Sequence, residues 1–143
     1  MGTPEIRYLC VDDARFHLSN RRAKIMENLE TLIGGLRVIG IRGKVWIDGS
    51  FLTEKIEPND VDILLDLEDE TVQRLNPQQR ADVDWLYENK EVQTEYGCDS
   101  HVLVQWPIGH PSHPHGEWLR AKYLSLFGWV SVYEMKGIAI VVL

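Results

Sequence analysis

The chain has 143 residues, the length of one ordinary domain, and 44 % of them are hydrophobic, which is enough for a core. Its net charge of −7 argues against broad binding to duplex DNA, because such binding needs many Lys and Arg side chains at the phosphates. No apolar run approaches the ~20 residues that span a bilayer, and the N-terminal residues lack the pattern of a signal peptide. We therefore expect a single domain over residues 1–143, in the cytoplasm and without a membrane anchor.

Helical and strand patterns alternate along the sequence. In chain order they predict a helix from Ser19 to about Leu36, a strand over Lys44 to Asp48, a short helix or turn near Thr53 to Ile56, and a strand over 60–67. They then predict a helix over 76–90, with Asn76 and Gln79 forming a capping box at its start. A strand over 101–106, a loop over 109–115, a helix over 117–127 and a final strand over 137–143 follow. This order indicates an α+β fold, with helices packed on a mixed β-sheet.

The strand over 60–67, "DVDILLDL", places two acidic residues on one face. Asp60 and Asp62 are two residues apart, so they project from the same side of a strand, about 6.6 Å apart at ~3.3 Å per residue. Val61, Ile63, Leu65 and Leu67 point the other way, into a core. Like charges held this close repel each other, and Mg²⁺ would relieve that repulsion, since its preferred protein ligands are carboxylate oxygens. Asp66 shares the face but is too far along the strand, and we expect it at the surface or at the end of the strand.

A Gly-Ser pair precedes these acidic residues and suits a phosphate group. Gly49 allows the backbone to approach a ligand closely, and the Ser50 hydroxyl can donate to phosphate oxygens. Lys55, in the segment that follows, could reach a triphosphate, and so could Lys136 before the last strand. One edge of the sheet would then bind phosphates while the neighbouring strand supplies metal ligands.

The stretch "GSFLTEKIEPNDVD" has Gly-Ser, nine residues and then Asp-x-Asp. It resembles the signature of the nucleotidyltransferase superfamily typified by DNA polymerase beta, and is most similar to its small, stand-alone bacterial and phage members. The resemblance implies the nucleotidyltransferase fold and a Mg²⁺-dependent transfer of a nucleoside monophosphate from a nucleoside triphosphate. The acceptor would be a hydroxyl of a protein, an RNA or a small molecule, in settings such as toxin–antitoxin pairs or phage defence.

The resemblance also implies roles for particular residues. Asp60 and Asp62 would bind Mg²⁺, and a third carboxylate from a neighbouring strand would complete the set, for which Asp99 is the matching candidate. Gly49, Ser50 and Lys55 would bind the nucleotide. With two metal ions, one would bridge the triphosphate and the Asp pair, and the other would activate the acceptor hydroxyl.

Two other functions remain open. A catalytically inactive binding module would have the same fold and act through a partner protein or a homo-oligomer, and it would be favoured by an Asp99 that points away from the Asp pair. A metal-dependent phosphoesterase would use the same carboxylates with water as the nucleophile. Such enzymes bring histidines into the metal cluster.

Histidines and cysteines give weaker indications. His110, His113 and His115 lie in one Pro-rich segment that could bind zinc, but no fourth ligand is evident, and a loop beside the pocket is the plainer interpretation. His101 shares a face with Asp99 and is expected to be a half-buried structural residue. Cys10 and Cys98 are far apart in the chain, which favours buried free thiols in a reducing compartment.

Overall fold

Five helices pack on a four-stranded sheet in a computed structural model of the protein, which describes residues 4, 7, 20–48, 60–87, 90–131, 134–135 and 138–143. In chain order the elements are α1 (Asn20–Val38), β1 (Lys44–Ile47), β2 (Val61–Glu68), α2 (Asp69–Gln73), α3 (Pro77–Leu86), α4 (Lys90–Tyr96), β3 (Cys98–Gln105), α5 (His113–Gly128), β4 (Trp129–Ser131), β5 (Glu134–Met135) and β6 (Ala139–Val142). The predicted α+β class is therefore confirmed. None of the described helices is long and apolar enough to cross a membrane.

The sheet is mixed and has the strand order β3-β2-β1-β6. β1 pairs antiparallel with β2 and with β6, whereas β2 pairs parallel with β3. A parallel pair needs a crossover, and here α2, α3 and α4 provide it between β2 and β3. β4 and β5 form a separate two-stranded sheet that the sequence patterns did not predict.

Helices cover both faces of the sheet. One face packs on α1, α3 and α4. As predicted, β2 contributes Val61, Ile63, Leu65 and Leu67 to this core. The helices contribute Leu29, Leu32, Val83 and Val92. The other face packs on α5 through Trp46, Leu64, Leu103, Tyr123 and Phe127. Since β2 is central, its side chains are buried on both sides over most of its length, and only the ends are open to a ligand.

The predicted first helix is confirmed, and it continues through Gly34 and Gly35 to Val38. Gly40 then turns the chain out of the helix with a φ of 80°, a conformation that glycine adopts without strain. The Gly40 N–H donates to the Arg37 carbonyl, and the Ile41 N–H donates to the Leu36 carbonyl. These two bonds form a Schellman motif, which turns the chain toward β1.

The segment over 76–90 was predicted as one helix, and the structure differs from this prediction at the C-terminal end of the segment. Its start is confirmed, because Asn76 and Gln79 form the predicted capping box. The helix ends at Leu86, and α4 begins separately at Lys90. Gly97, with a φ of 66°, then joins α4 directly to β3, which starts three residues before the predicted strand.

The prediction of a loop over 109–115 was wrong at its C-terminal end. α5 begins at His113, with Pro114 in its first turn. Backbone N–H groups in the first turn make no hydrogen bond within the helix, so a proline there costs none. The Gly116 N–H donates to the Ser112 carbonyl, so the helical hydrogen bonds start as soon as the prolines are passed.

Gly43, just before β1, lies against the backbone of β2. A Cβ at this position would be 2.6 Å from the Asp66 carbonyl oxygen and 2.8 Å from Cδ2 of Leu67. Gly35, by contrast, is exposed and has no neighbour within 4 Å of an added Cβ.

These two glycines therefore predict opposite results on substitution by alanine. We expect Gly43→Ala to lower the free energy of unfolding by about 1–3 kcal/mol, because β1 must move away from β2. Gly35→Ala should raise the free energy of unfolding by about 0.5–1 kcal/mol. Alanine has fewer conformations than glycine in the unfolded chain, so it loses less entropy when the helix forms. Urea unfolding of both variants measures the difference, and equal effects at the two positions would contradict the packing described for Gly43.

Candidate metal centre

Acidic side chains meet at one end of the sheet, on the face that α5 covers. Asp62 of β2 and Asp99 of β3 are direct partners in the parallel register, and their side chains are within hydrogen-bonding reach of each other. Side chains two or four residues apart in a strand share a face. Asp62 is two residues from Leu64, and Asp99 is four residues from Leu103. Because Leu64 and Leu103 face α5, so do the two aspartates. Two carboxylates on adjacent strands are thus held side by side.

Two further carboxylates stand close to this pair. Asp48 follows β1, and its backbone N–H donates to the Asp62 carbonyl oxygen at 3.0 Å, which continues the β1–β2 pairing by one residue. Asp48, Asp62 and Asp99 therefore form a row across three strands, and Asp48 is buried. Asp60 precedes β2, and its Oδ2 accepts a hydrogen bond of 2.7 Å from Nε2 of Gln93 in α4.

The electrostatic consequence is concentrated on Asp62. The pKa of its carboxyl group is raised from the ordinary value of 3.8 to about 7, chiefly by burial and then by the negative charges of Asp48, Asp99 and Asp60. A hydrogen bond with the Asp99 side chain acts in the same direction. The protein has thus gathered negative charge around one half-buried carboxyl group, an arrangement that a bound cation would stabilise.

Asp62, Asp99 and His101 could hold a metal ion, because each offers one ligand atom and these atoms all lie within 4.8 Å of one another. His101 Nε2 is 3.9 Å from Oδ1 of Asp99. The imidazole ring also packs on α5, with its centroid 5.5 Å from the Tyr123 ring and 6.2 Å from the Phe127 ring. His101 is therefore half-buried, as predicted, and is also oriented toward the carboxylates.

The predicted site residues fall into three groups. The structure brings Asp62 and Asp99 together, and it places Asp60 near enough for its charge to act on Asp62, although the Asp60 side chain is bound by Gln93. Gly49, Ser50 and Lys55 lie outside the described residues, as does Lys136, and so does the short helix or turn expected near Thr53 to Ile56. The phosphate-binding role of these residues stays a prediction.

The prediction for Asp66 was wrong. Its side chain is buried rather than at the surface, with an exposed fraction of 7 %. Oδ1 accepts a hydrogen bond of 2.5 Å from Nε2 of Gln105, and Oδ2 accepts one of 3.2 Å from Nε1 of Trp46. Asp66 thus ties three strands together beneath α5, and it takes no part in the acidic group at the strand ends.

The three histidines over 109–115 have separate partners. The His113 ring nitrogen Nδ1 hydrogen-bonds the Trp106 carbonyl oxygen at 2.8 Å, while Nδ1 of His110 accepts from the Ser112 N–H at 3.0 Å. The His115 ring stacks on Trp118. Within the described residues these histidines belong to no group that could hold a metal ion.

Cys98 begins β3 and is a buried free thiol, as predicted. Burial raises the pKa of this thiol to about 12, and the charge of Asp60 adds to the shift, so the group stays protonated and is a poor metal ligand or nucleophile. Cys10 lies outside the described residues.

Sequence reasoning missed the part that Asp48 plays. The sequence did hold a signal for it, because Asp48 is the last residue of a predicted strand and immediately precedes the Gly-Ser pair. What could not be read is that β1 pairs antiparallel with β2 in the register that places Asp48 beside Asp62.

Comparison with known proteins gives a family but no activity. Neither a curated protein nor a solved structure matches the chain, so the resemblance to nucleotidyltransferases stays a prediction. A family model does match residues 5–141, which is almost the whole length. The chain belongs to DUF6932, a family of unknown function.

Proposed function

We propose that the protein is a Mg²⁺-dependent nucleotidyltransferase, which moves a nucleoside monophosphate from a nucleoside triphosphate to a hydroxyl acceptor. The observation that carries the proposal is the pairing of Asp62 with Asp99 across adjacent strands, with Asp48 and Asp60 beside them. The Gly49-Ser50 pair follows Asp48 directly in the chain, which supports phosphate binding at the same end of the sheet.

The donor set supports the choice of ion. Asp62 and Asp99 supply hard oxygen ligands, which suit Mg²⁺, and both lie in the group that could hold an ion. Asp60 would join them as a third carboxylate if its side chain left Gln93. Bound there, Mg²⁺ would neutralise phosphate charge and lower the pKa of the acceptor hydroxyl. The raised pKa of Asp62 supports the same conclusion, because every cause of the shift among the described residues disfavours a negative charge that a cation would balance.

The residues would then position one substitution at phosphorus. The acceptor oxygen forms a bond to the α-phosphorus, the bond from that phosphorus to the bridging oxygen breaks, and pyrophosphate leaves with the electron pair. The hydroxyl proton passes to Oδ1 of Asp99, which is partly exposed. His101 Nε2 lies 3.9 Å from this oxygen, which is longer than a hydrogen bond, so the proton would pass from Asp99 to water.

The inactive binding module is not favoured by the position of Asp99, because an Asp99 turned away from the Asp pair would have supported it and Asp99 lies beside Asp62. A metal-dependent phosphoesterase is the second candidate, and one observation favours it. His101 lies in the group with Asp62 and Asp99, and a histidine among metal-binding carboxylates is usual for that class. The two enzymes differ in their nucleophile, which is a hydroxyl in one and water in the other.

The test is a transfer assay with nucleoside triphosphates labelled at the α-phosphate, in the presence of Mg²⁺ and of cell lysate as a source of acceptors. We expect label on an acceptor together with released pyrophosphate. Asp99→Asn should reduce the rate about 10²-fold or more, because it removes both a ligand and the proton acceptor. Asp84→Asn, an exposed Asp on α3, is the matched control and should transfer normally.

Two results would redirect the assignment. Release of labelled nucleoside monophosphate without label on any acceptor would favour the phosphoesterase. No turnover of any nucleotide, with Asp60→Ala and Asp99→Asn cells indistinguishable from wild type, would reject both enzymes.

A further inference from the structure

Aromatic and imidazole rings form a continuous series on the outer side of α5. We define the ring ladder as His110, Trp106, His115 and Trp118, with the Lys122 ammonium at its end. Neighbouring ring centroids are 6.1 Å apart for Trp106 and His110, 6.4 Å for Trp106 and His115, and 6.2 Å for His115 and Trp118. Lys122 Nζ lies 5.8 Å from the Trp118 ring.

The ladder is open to solvent at Trp118, its last ring. Trp118 is 60 % exposed and contributes to neither described core cluster, so packing does not account for a tryptophan there. His115 and Trp118 are three residues apart on α5, and Lys122 is four further, so all three lie on one face of the helix. Gly116 allows the helix to approach Trp106, since an added Cβ would be 3.1 Å from its ring.

The charge at the ladder is opposite to that of the whole protein. The chain carries −7, whereas the charged group on the ladder face of α5 is Lys122. At 100° per residue, Glu117 and Arg120 project about 100° and 160° away from Trp118, and the Arg120 guanidinium lies 5.9 Å from the Trp46 ring instead. An exposed tryptophan next to a cationic group fits a ligand that has flat rings and negative charge, which is the chemistry of unpaired nucleotides.

The ladder also leads to the carboxylates. Lys122 Nζ lies 5.8 Å from the Tyr123 ring, the Tyr123 ring contacts that of His101, and His101 contacts Asp99. From His115 to Phe127 the helix rises about 18 Å at ~1.5 Å per residue, so α5 connects the exposed rings to the sheet end that holds the acidic group.

From these contacts we propose that the ring ladder binds single-stranded nucleic acid, and that a hydroxyl of this strand, delivered along α5 to Asp99, is the acceptor. The acceptor role rests on the proposed function, whereas the binding role does not. Stacking of bases on Trp118 and Trp106 supplies sequence-tolerant affinity, and Lys122 supplies a phosphate contact.

The test measures binding apart from chemistry. Fluorescein-labelled single-stranded RNA, single-stranded DNA of the same sequence, and the duplex are titrated with the full chain in EDTA without nucleotide, and anisotropy is recorded. We expect a single strand to bind at least tenfold more tightly than the duplex, and the RNA and DNA arms then tell which sugar is preferred. Trp118→Ala should weaken binding tenfold or more, while Trp118→Phe should largely retain it.

Two more variants distinguish the contribution of stacking from that of charge, and control for a general effect of changing α5. Lys122→Ala should weaken binding less and reduce the salt slope by about 0.7, as expected for the loss of one phosphate contact on a single strand. Leu124→Ala is the control, because Leu124 is an exposed apolar residue on a different face of α5 and should bind like wild type.

The possible results are distinguishable. Absence of single-strand binding, or a Trp118→Ala protein that binds as well as wild type, overturns the proposal. Transfer of label from a nucleotide to a protein or a small molecule, with none to the oligonucleotide, overturns the acceptor role and leaves the proposed function standing. Oligonucleotide binding through Trp118 without transfer to any acceptor supports the binding surface and rejects the proposed function.

Discussion

Replacing Asp62 by asparagine is expected to stabilise the metal-free protein at pH above 7 and to abolish its stabilisation by Mg²⁺. The carboxyl group of Asp62 binds a proton more tightly in the folded protein than in the unfolded chain, because its pKa rises from 3.8 to about 7. The wild-type free energy of unfolding therefore falls as pH rises through that window, and the full penalty is present above it. Asparagine carries no charge and can still donate to the neighbouring carboxylates.

The stability gained by Asp62→Asn depends on the pKa shift of Asp62 and on how far solvent screens its charge. At ~1.36 kcal/mol per pKa unit, the full shift would amount to about 4 kcal/mol. Asp62 is partly exposed, so solvent screening reduces the gain to about 1–2 kcal/mol. In a domain of this length, that corresponds to a rise in Tm of about 3–8 °C.

Thermal unfolding measures both parts of the prediction. In EDTA, Asp62→Asn should melt above wild type at about pH 8 and close to it at about pH 3, where the carboxyl group of Asp62 is largely protonated in both the folded and the unfolded state. Mg²⁺ at about ten times its Kd should stabilise wild type by about 1.4 kcal/mol and leave the variant unchanged. Asp84→Asn is the control, with changes expected within about 0.5 kcal/mol. An Asp62→Asn protein that melts below wild type at high pH would refute the charge repulsion described for the site.

Truncation of Asp66 should have the opposite result, a large loss of stability. Asp66→Ala removes the acceptors of the Trp46 indole N–H and the Gln105 amide, and Trp46 is only 2 % exposed, so water cannot easily replace the lost bond. An unpaired buried donor costs about 1–3 kcal/mol, and the cavity left by the side chain adds to that. We expect a decrease of about 2–4 kcal/mol in the free energy of unfolding.

Urea unfolding followed by far-UV circular dichroism tests this value, and two comparisons interpret it. Asp66→Asn keeps one oxygen acceptor and should lose less than Asp66→Ala. Glu70→Ala, at an exposed position on α2, should change stability by no more than about 0.5 kcal/mol. If Asp66→Ala were within 1 kcal/mol of wild type, the carboxylate would not hold the strands together as described.

Asp62 and Asp66 also show how far sequence reasoning reached. Both lie on one face of the same strand, a relation that follows from the period of two and was predicted correctly. Their environments differ because of partners from other strands. Asp66 is buried by Trp46, twenty residues earlier, and by Gln105, thirty-nine residues later, and no local pattern contains such pairings.

Local chemistry was the reliable part of the prediction. The Asn76–Gln79 capping box and the apolar face of β2 depend on residues within a few positions, and both are confirmed. The end of α3 at Leu86 and the start of α5 at His113 depend on how the helices pack, and both were misplaced. The candidate site combines the two kinds of information. Asp62 was found from its motif, while its position beside Asp99 required the parallel register of β2 and β3.

The most direct test of the metal centre is a crystal structure of the protein soaked with Mn²⁺ and a non-hydrolysable nucleoside triphosphate, with anomalous data collected for manganese. We predict an anomalous peak within about 2.5 Å of carboxylate oxygens of both Asp62 and Asp99, with phosphate oxygens completing the coordination. An ion and nucleotide bound elsewhere, for example in the apolar groove lined by Leu36 and Trp85, with no peak at the carboxylates, would contradict it.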